Sequence, residues 1–428
     1  MKPLSACALF GAVRAVSGIR DAFVLQHSVI GCTWAAINIH SFLHPFGLRQ
    51  ASTVVYEENV IDGGAELVTK ALREINELYP EISTVFIISG CVPNMIGDDV
   101  ASAAKEAAVS KKVLHISAPG YGGRAECGLE KALSALAELA ENSPAAKTKR
   151  PSVNIIGICA DDPYAANDVQ ELRHLFGSKI ELLCSLHDCD TEEISRMGAA
   201  WLNIVFGSGE ALAQKLERSC GTPYVVCSYP YGIQGMYDFL TMLEERLQVD
   251  MTAEKAQLAA AGTAIVRRTA YYLQNLYQLP AAVVGDKVHL EGMCLFLERE
   301  LGMQLVYKCA ADSGDANILQ AKLQELEPAL LLASSQERAI AAAAEVPFLA
   351  YTYPDIDELV LTRAGLIGAE GTANLLQKLI NAVLQQRYKA EGIWAGLLPN
   401  CGDLERSEIK SGNSNDMWKA EAENDGGR

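Results

Sequence analysis

Cys7, Cys32 and Cys91, all in the first quarter of the chain, have the residue type and setting of a metal centre. They lie 25 and 59 residues apart, so only the tertiary fold can bring them together. No CxxC pair occurs, which argues against a zinc knuckle or a small ferredoxin insert. Thiolates suit iron–sulfur centres. Such clusters ordinarily take four cysteines, so the fourth ligand must come from a partner subunit, a carboxylate or a substrate. The competing reading is that a cysteine at the end of a buried strand is a small core hydrophobe.

The elements around these residues favour convergence. Cys7 lies in a leader before the first predicted strand. Cys32 follows the predicted strand at 23–27 and opens a helix at Thr33; Cys91 directly follows the strand at 84–89. In parallel α/β sheets, ligands gather outside the carboxyl ends of strands. Further strands are predicted at 52–56 and 113–116, with helices at 33–43, 64–78, 99–108 and 124–139. This alternation marks a parallel, helix-covered sheet. A polar, proline-flanked linker near 141–151 sets a boundary. The plan repeats with strands at 153–158, 180–184, 201–205 and 224–227. It repeats again at 281–284, 304–307, 329–332 and 348–351. The predicted fold class is therefore α/β, with three tandem Rossmann-like units of four-stranded parallel sheets covered by helices. The units are expected at 1–150, 151–250 and 251–390, the last including a linking helix at 252–277 and a final helix at 372–387. A polar tail at 391–428 is expected to be disordered.

Composition narrows the partners. With 53 acidic and 36 basic residues the chain carries a net charge of −17, which argues against nucleic-acid or anionic-membrane binding. Twelve cysteines in a chain this long are not a disulfide scaffold, and Cys159, Cys184 and Cys227 in apolar strands imply a reducing, cytoplasmic setting. No apolar run long enough for a transmembrane helix occurs, and no signal peptide is expected. There is no phosphate-cradling GxxxxGK[ST] motif and no GxGxxG opening a helix after a strand, so no bound nucleotide is expected.

Ordered strings across the first ~125 residues resemble nitrogenase component 1. They are Cys7…Gly11-Ala12, His27…Gly31-Cys32, Glu57 through Gly64, Cys91 through Asp99, and Pro119 through Gly123. That superfamily includes the molybdenum–iron protein subunits, cofactor-assembly paralogues, dark-operative protochlorophyllide reductase and the nickel-sirohydrochlorin cyclase. The resemblance implies that Cys7, Cys32 and Cys91 hold a [4Fe–4S] cluster or a larger P-cluster-like centre at a subunit interface. It implies a homologous subunit, as homodimer or paralogous heterodimer or heterotetramer. It also implies an ATP-dependent iron protein as electron donor. The function implied is reduction of a small molecule or tetrapyrrole; the alternative is a non-catalytic scaffold for metallocofactor assembly.

In that frame Gly31 and Gly90 let backbone approach an inorganic core. Glu57 and Glu58, read as ending the second strand, either reach toward the cluster or form a solvated turn. Asp98 and Asp99 read as helix caps. His27 is expected to orient the loop near the cluster. Other groups read as structural: His40 and His44 on one helix face; Cys159, Cys184, Cys227 and His187 in the second unit; His289, Cys294 and Cys309 in the third. The family's catalytic subunit grips its large cofactor through one cysteine and one histidine. Here those places fall near Gly207 and at Thr352 or Tyr351, so a molybdenum–iron cofactor bound in that manner is not expected.

Overall fold

The computed structural model of the chain describes residues 7–43, 49–140, 146–311, 314–360 and 363–391, with backbone alone at 37–43 and 385–391. The first lobe runs α1 (Ala8–Val16), β1 (Ala22–His27), α2 (Ile30–Leu43), β2 (Gln50–Ser52), α3 (Glu57–Asp62), α4 (Ala65–Leu78), β3 (Thr84–Ser89), α5 (Cys91–Ile96), α6 (Val100–Ala107), β4 (Lys112–Ser117), α7 (Ala125–Ala135) and α8 (Ala137–Ala140). The second runs β5 (Ser152–Ile156), α9 (Ala165–Phe176), β6 (Glu181–Ser185), α10 (Thr191–Ser195), β7 (Leu202–Phe206), α11 (Glu210–Cys220), β8 (Tyr224–Cys227) and α12 (Gly232–Leu247). After α13 (Thr252–Leu273), the third runs β9 (Pro280–Gly285), α14 (Leu290–Leu295), β10 (Gln304–Ala310), α15 (Ala316–Leu326), β11 (Leu330–Ala333), α16 (Arg338–Ala343), β12 (Phe348–Ala350) and α17 (Gly368–Glu391). Residues Met1–Ile380 form one compact unit, which holds all three sheets.

Each sheet is parallel and four-stranded, in the orders β2-β1-β3-β4, β6-β5-β7-β8 and β10-β9-β11-β12. The central strands are continuous apolar runs because helices cover both faces. β1 and β3 are buried throughout. α4 shows the complementary pattern: Val68, Thr69, Leu72 and Ile75 make its buried stripe, at helical spacing. In every lobe the first strand is flanked by the second on one side and the third on the other. The chain therefore leaves the sheet in opposite directions after strands one and three, which opens a crevice at their carboxyl ends. In the first lobe Cys32 and Cys91 follow those two strands, β1 and β3.

The structure corrects several sequence expectations. The leader carrying Cys7 is a helix, α1, and all nine of its residues are buried. It crosses α7 so closely that a β-carbon at Gly11 would overlap the Ala125 carbonyl oxygen, and one at Gly128 the Ala8 carbonyl oxygen. β2 spans Gln50–Ser52 rather than 52–56, and Glu57 and Glu58 open α3 rather than end a strand. Helices α5 and α12 were not anticipated. α14 passes directly into a π-helical turn at Phe296–Glu300. His44 and the 392–428 tail lie outside the described residues, as does the side chain of His40. Among the described residues no helix is long and apolar enough to cross a membrane.

Candidate metal centre

The three thiols are free and half-buried. Cys7 is the residue before the first turn of α1 and forms an isolated antiparallel bridge with Arg124. Cys32 lies in the first turn of α2, where its N–H donates to the Val29 carbonyl at 3.1 Å. Cys91 is the first residue of α5; the Asn94 amide secures that turn by donating to the carbonyls of Ser89 (3.1 Å) and Gly90 (2.7 Å). Cys7 and Cys91 meet at Gly120. A β-carbon there would lie 2.7 Å from the Cys7 Sγ and 3.4 Å from the Cys91 Sγ, and the Gly120 N–H donates to the Cys91 Sγ at 3.1 Å. Cys32 feels both: burial, then the Cys7 and Cys91 sulfurs, push its thiol above the ordinary range. Burial and Cys91 likewise raise Cys7, against a backbone hydrogen bond from Leu9 that lowers it.

The spacing of the sulfurs discriminates between metal types. A single tetrahedral ion with metal–sulfur bonds of about 2.3 Å holds its sulfurs about 3.8 Å apart. Among the described residues, the one triad whose ligand atoms all lie within 4.8 Å is Asp162, Asp286 and His289, not the cysteines. At least one pair of the three sulfurs therefore lies more than 4.8 Å apart, wider than the ligand set of a single ion.

The neighbouring residues divide. Gly90 packs under Ser28 and Leu9, each within 3.2 Å of a β-carbon placed there, so its smallness serves the contact with α1. Gly31 is exposed and faces open space. Glu58 is exposed in the first turn of α3, where its charge suits the helix dipole. Asp99 caps α6 by accepting from Ser102 N at 2.9 Å. Asp98 does something else: it accepts from Gly64 N at 2.8 Å and pairs with His27 Nε2 at 2.9 Å. His27 also reaches Thr53 through Nδ1, so it fastens the end of β1 to the loops around the site. In the second lobe Cys159 and Cys184 are buried in the core.

Sequence reasoning missed a second constellation. His289, read there as structural, pairs through Nδ1 with Asp286 Oδ1 at 2.8 Å. Arg14, on α1, donates to Asp161 at 2.8 Å, to Asp162 at 2.6 Å and to Asp286 at 3.3 Å, and its guanidinium stacks 3.7 Å from the centre of the Tyr353 ring. One cation thereby joins all three lobes. Arg14 and Asp286 also line a cavity of about 780 Å³ between α1, the start of α7 and the carboxyl ends of β9, β10 and β11. Only the Asp286–His289 spacing of three was visible in the sequence; the other partners are far apart along it.

A profile described as Nitrogenase component 1 type Oxidoreductase matches residues 7–384. The chain belongs to this family. The nitrogenase iron–molybdenum cofactor biosynthesis protein NifE of Clostridium pasteurianum is 28% identical over 312 residues, covering 70% of this chain and 67% of the relative. A subunit of the light-independent protochlorophyllide reductase of Synechococcus sp. (strain JA-3-3Ab) is 21% identical over 417 residues, covering 87% of this chain and 81% of the relative. In fold, the chain matches a solved structure of nitrogenase Cp1 at pH 6.5 with a TM-score of 0.79 at 18% identity, over 91% of this chain and 94% of that one.

As a nitrogenase component 1 type protein, the chain departs from a cofactor gripped by one sulfur and one imidazole. A β-carbon at Gly207 would overlap the Lys287 carbonyl oxygen, so the second and third lobes touch there. Thr352 is fully buried and its hydroxyl accepts from Asp286 N at 3.4 Å. The Tyr351 ring is buried with its hydroxyl against Gly285. These positions do not fit such a cofactor.

Proposed function

We propose that the chain is a redox subunit in which Cys7, Cys32 and Cys91 hold an iron–sulfur cluster of the [4Fe–4S] or a larger type. The meeting of Cys7 and Cys91 at Gly120, with both sulfurs acting on Cys32, carries this reading. When bound, such a cluster supplies electrons one at a time. The chain's own part is to place three sulfurs, exclude water through the apolar residues behind them, and leave the fourth position open.

The surface around the thiols supports a homologous subunit as partner. Ile30, Trp34, Tyr56, Ile61, Met95 and Tyr121 are large, apolar and exposed, at 59–84%. They belong to α2, α3, α5 and the Gly120 loop, the same segments that carry or border the cysteines. Apolar groups concentrated in this way mark a docking face. In this reading a second subunit covers the cluster and provides the fourth ligand; an ATP-dependent iron protein, which this chain does not replace for want of a phosphate loop, delivers electrons. The molecule reduced is a small or tetrapyrrole-like substrate in the 780 Å³ cavity, whose wall includes Phe10, Gly11 and Arg14 of the helix that Cys7 begins.

Anaerobic purification with iron and sulfide analysis and electron paramagnetic resonance tests this. A brown protein with about one cubane per chain or per dimer is expected. An iron-free, colourless anaerobic preparation, alone and with its co-purifying subunit, overturns it.

A further inference from the structure

The junction at the far end of α1 has a property that structural packing does not require. Three carboxylates, Asp161, Asp162 and Asp286, surround the single guanidinium of Arg14, with side chains at most 13% exposed. A buried negative excess is costly unless further positive charge enters. His289 is placed to supply it, with Nδ1 2.8 Å from Asp286 and a side chain 6% exposed. A divalent cation is the other candidate, since the ligand atoms of Asp162, Asp286 and His289 lie within 4.8 Å of one another. Arg14 rules it out: one terminal nitrogen already donates to both Asp162 and Asp286, so a cation occupies that position.

We propose that this junction is a proton store for the molecule reduced in the adjoining cavity, with Asp286 as the group that passes the proton on. The proposal rests on the redox reading above. Asp286 is the member of the His289–Asp286 pair that lines the cavity. The groups facing His289 are Asp286, Asp162, Arg14, the buried Asp168 of α9 and the Tyr229 and Tyr231 rings, the rings 4.7 and 6.3 Å away between centres. Those facing Asp162 are Arg14, His289, Asp286 and Asp161. Burial opposes charge on His289, but Asp286 and Asp162 outweigh it and raise the imidazole above its usual range. Burial pushes Asp162 up to about 6, with Arg14 opposing. Asp286 stays ionised because His289 and Arg14 outweigh its burial.

The transfer balances. The Nδ1 proton of His289 first moves to ionised Asp286, which then gives that proton to a molecule that has gained one electron. His289 ends neutral, Asp286 ends as it began, and water recharges the imidazole.

Histidine-labelled full-length protein, titrated by nuclear magnetic resonance without iron, tests the store directly, with His289→Gln assigning the signal. The His289 ring is expected to titrate above a free imidazole, and Asp286→Asn to lower that value. Should Asp286→Asn not fold, Asp162→Asn lowers the same titration by a smaller step. A His289 titration at or below that of a free imidazole, or one that neither variant moves, overturns the proposal. Delivery is tested with iron-loaded protein, titanium(III) citrate and azobenzene, an apolar probe that takes two electrons and two protons to give hydrazobenzene. His289→Gln is expected to slow this at least tenfold at pH 8 and less at pH 6, with the paramagnetic signal of the reduced centre unchanged. Wild-type and variant rates that coincide at both pH values overturn delivery. A wild-type protein without iron sinks the redox reading instead, and the titration still decides whether the store exists.

Discussion

The two ends of α1 are seven residues apart and physically opposite. At Cys7 the chain presents a half-buried thiol to an open face rimmed by apolar side chains. At Arg14 it drives a full charge, 7% exposed, into the meeting point of three lobes. On the proposed reading one end is completed from outside. The other is satisfied only by groups from the chain itself. The lesson is that a ligand site can be left incomplete when the scaffold behind it is closed, because fold stability then does not depend on the metal.

The sharpest way to break this contrast is at the shared scaffold. Gly11→Ala and Gly128→Ala each force a β-carbon into a carbonyl oxygen across the α1–α7 crossing. Overpacking of that kind costs about 3 kcal/mol or more where neither backbone can yield. Loss of soluble protein or a large fall in melting temperature is expected for both, and retention of the wild-type melting temperature refutes the crossing as described.

Next comes Arg14→Met, which leaves three buried carboxylates without their cation and should cost about 3–5 kcal/mol. Cys7→Ala, at the other end of the same helix, should change the stability of iron-free protein by under about 1 kcal/mol yet lower bound iron. Urea denaturation and iron assay compare the two; equal stability losses would erase the distinction between the ends.

A smaller effect is expected from pH. The folded-state value of His289 is raised, so its contribution is complete below the ordinary histidine range and is lost as pH rises through the folded value. Asp162 and Asp168, both raised to about 6 mainly by burial, bind protons more tightly folded than unfolded, so stability also falls as pH rises between about 4 and 6. The stability difference between wild type and His289→Gln should therefore shrink above pH 6.5, as thermal melts across pH 5–9 can check. At the open end the sign concerns metal: raised Cys7 and Cys32 thiols hold their protons, so iron uptake should slow as pH falls below 8.

The smallest expected effect on stability is at the rim. Trp34→Asp and Ile61→Glu, 68% and 84% exposed, should alter stability by no more than about 0.5 kcal/mol while weakening subunit association in sedimentation measurements. Unchanged association in both variants would remove the rim as a docking face.

Much of the fold was legible because parallel strands buried on both faces are unbroken apolar runs, as in Thr84–Ser89. Cys32 and Cys91 were legible for the same reason: each follows one of two strands that flank the crevice. α1 escaped notice because all its sides are buried, so Ala8–Val16 shows no polar face to betray a helix. α12 did carry a signal, with Met236, Phe239, Leu240, Leu243 and Leu247 at helical spacing. The Arg14 junction could not be read, since its partners lie 147, 148 and 272 residues away. At Gly90 a small residue is required by the protein alone, since a β-carbon there would crowd Ser28 and Leu9, a contact the sequence did not show.

The glycine-tight crossing of α1 over α7 has a mechanical meaning. With no slack between the two backbones, α1 behaves as a stiff rod whose tips hold a sulfur and a guanidinium. On the proposed reading, a subunit that draws the first tip toward itself also tilts the second among its carboxylates.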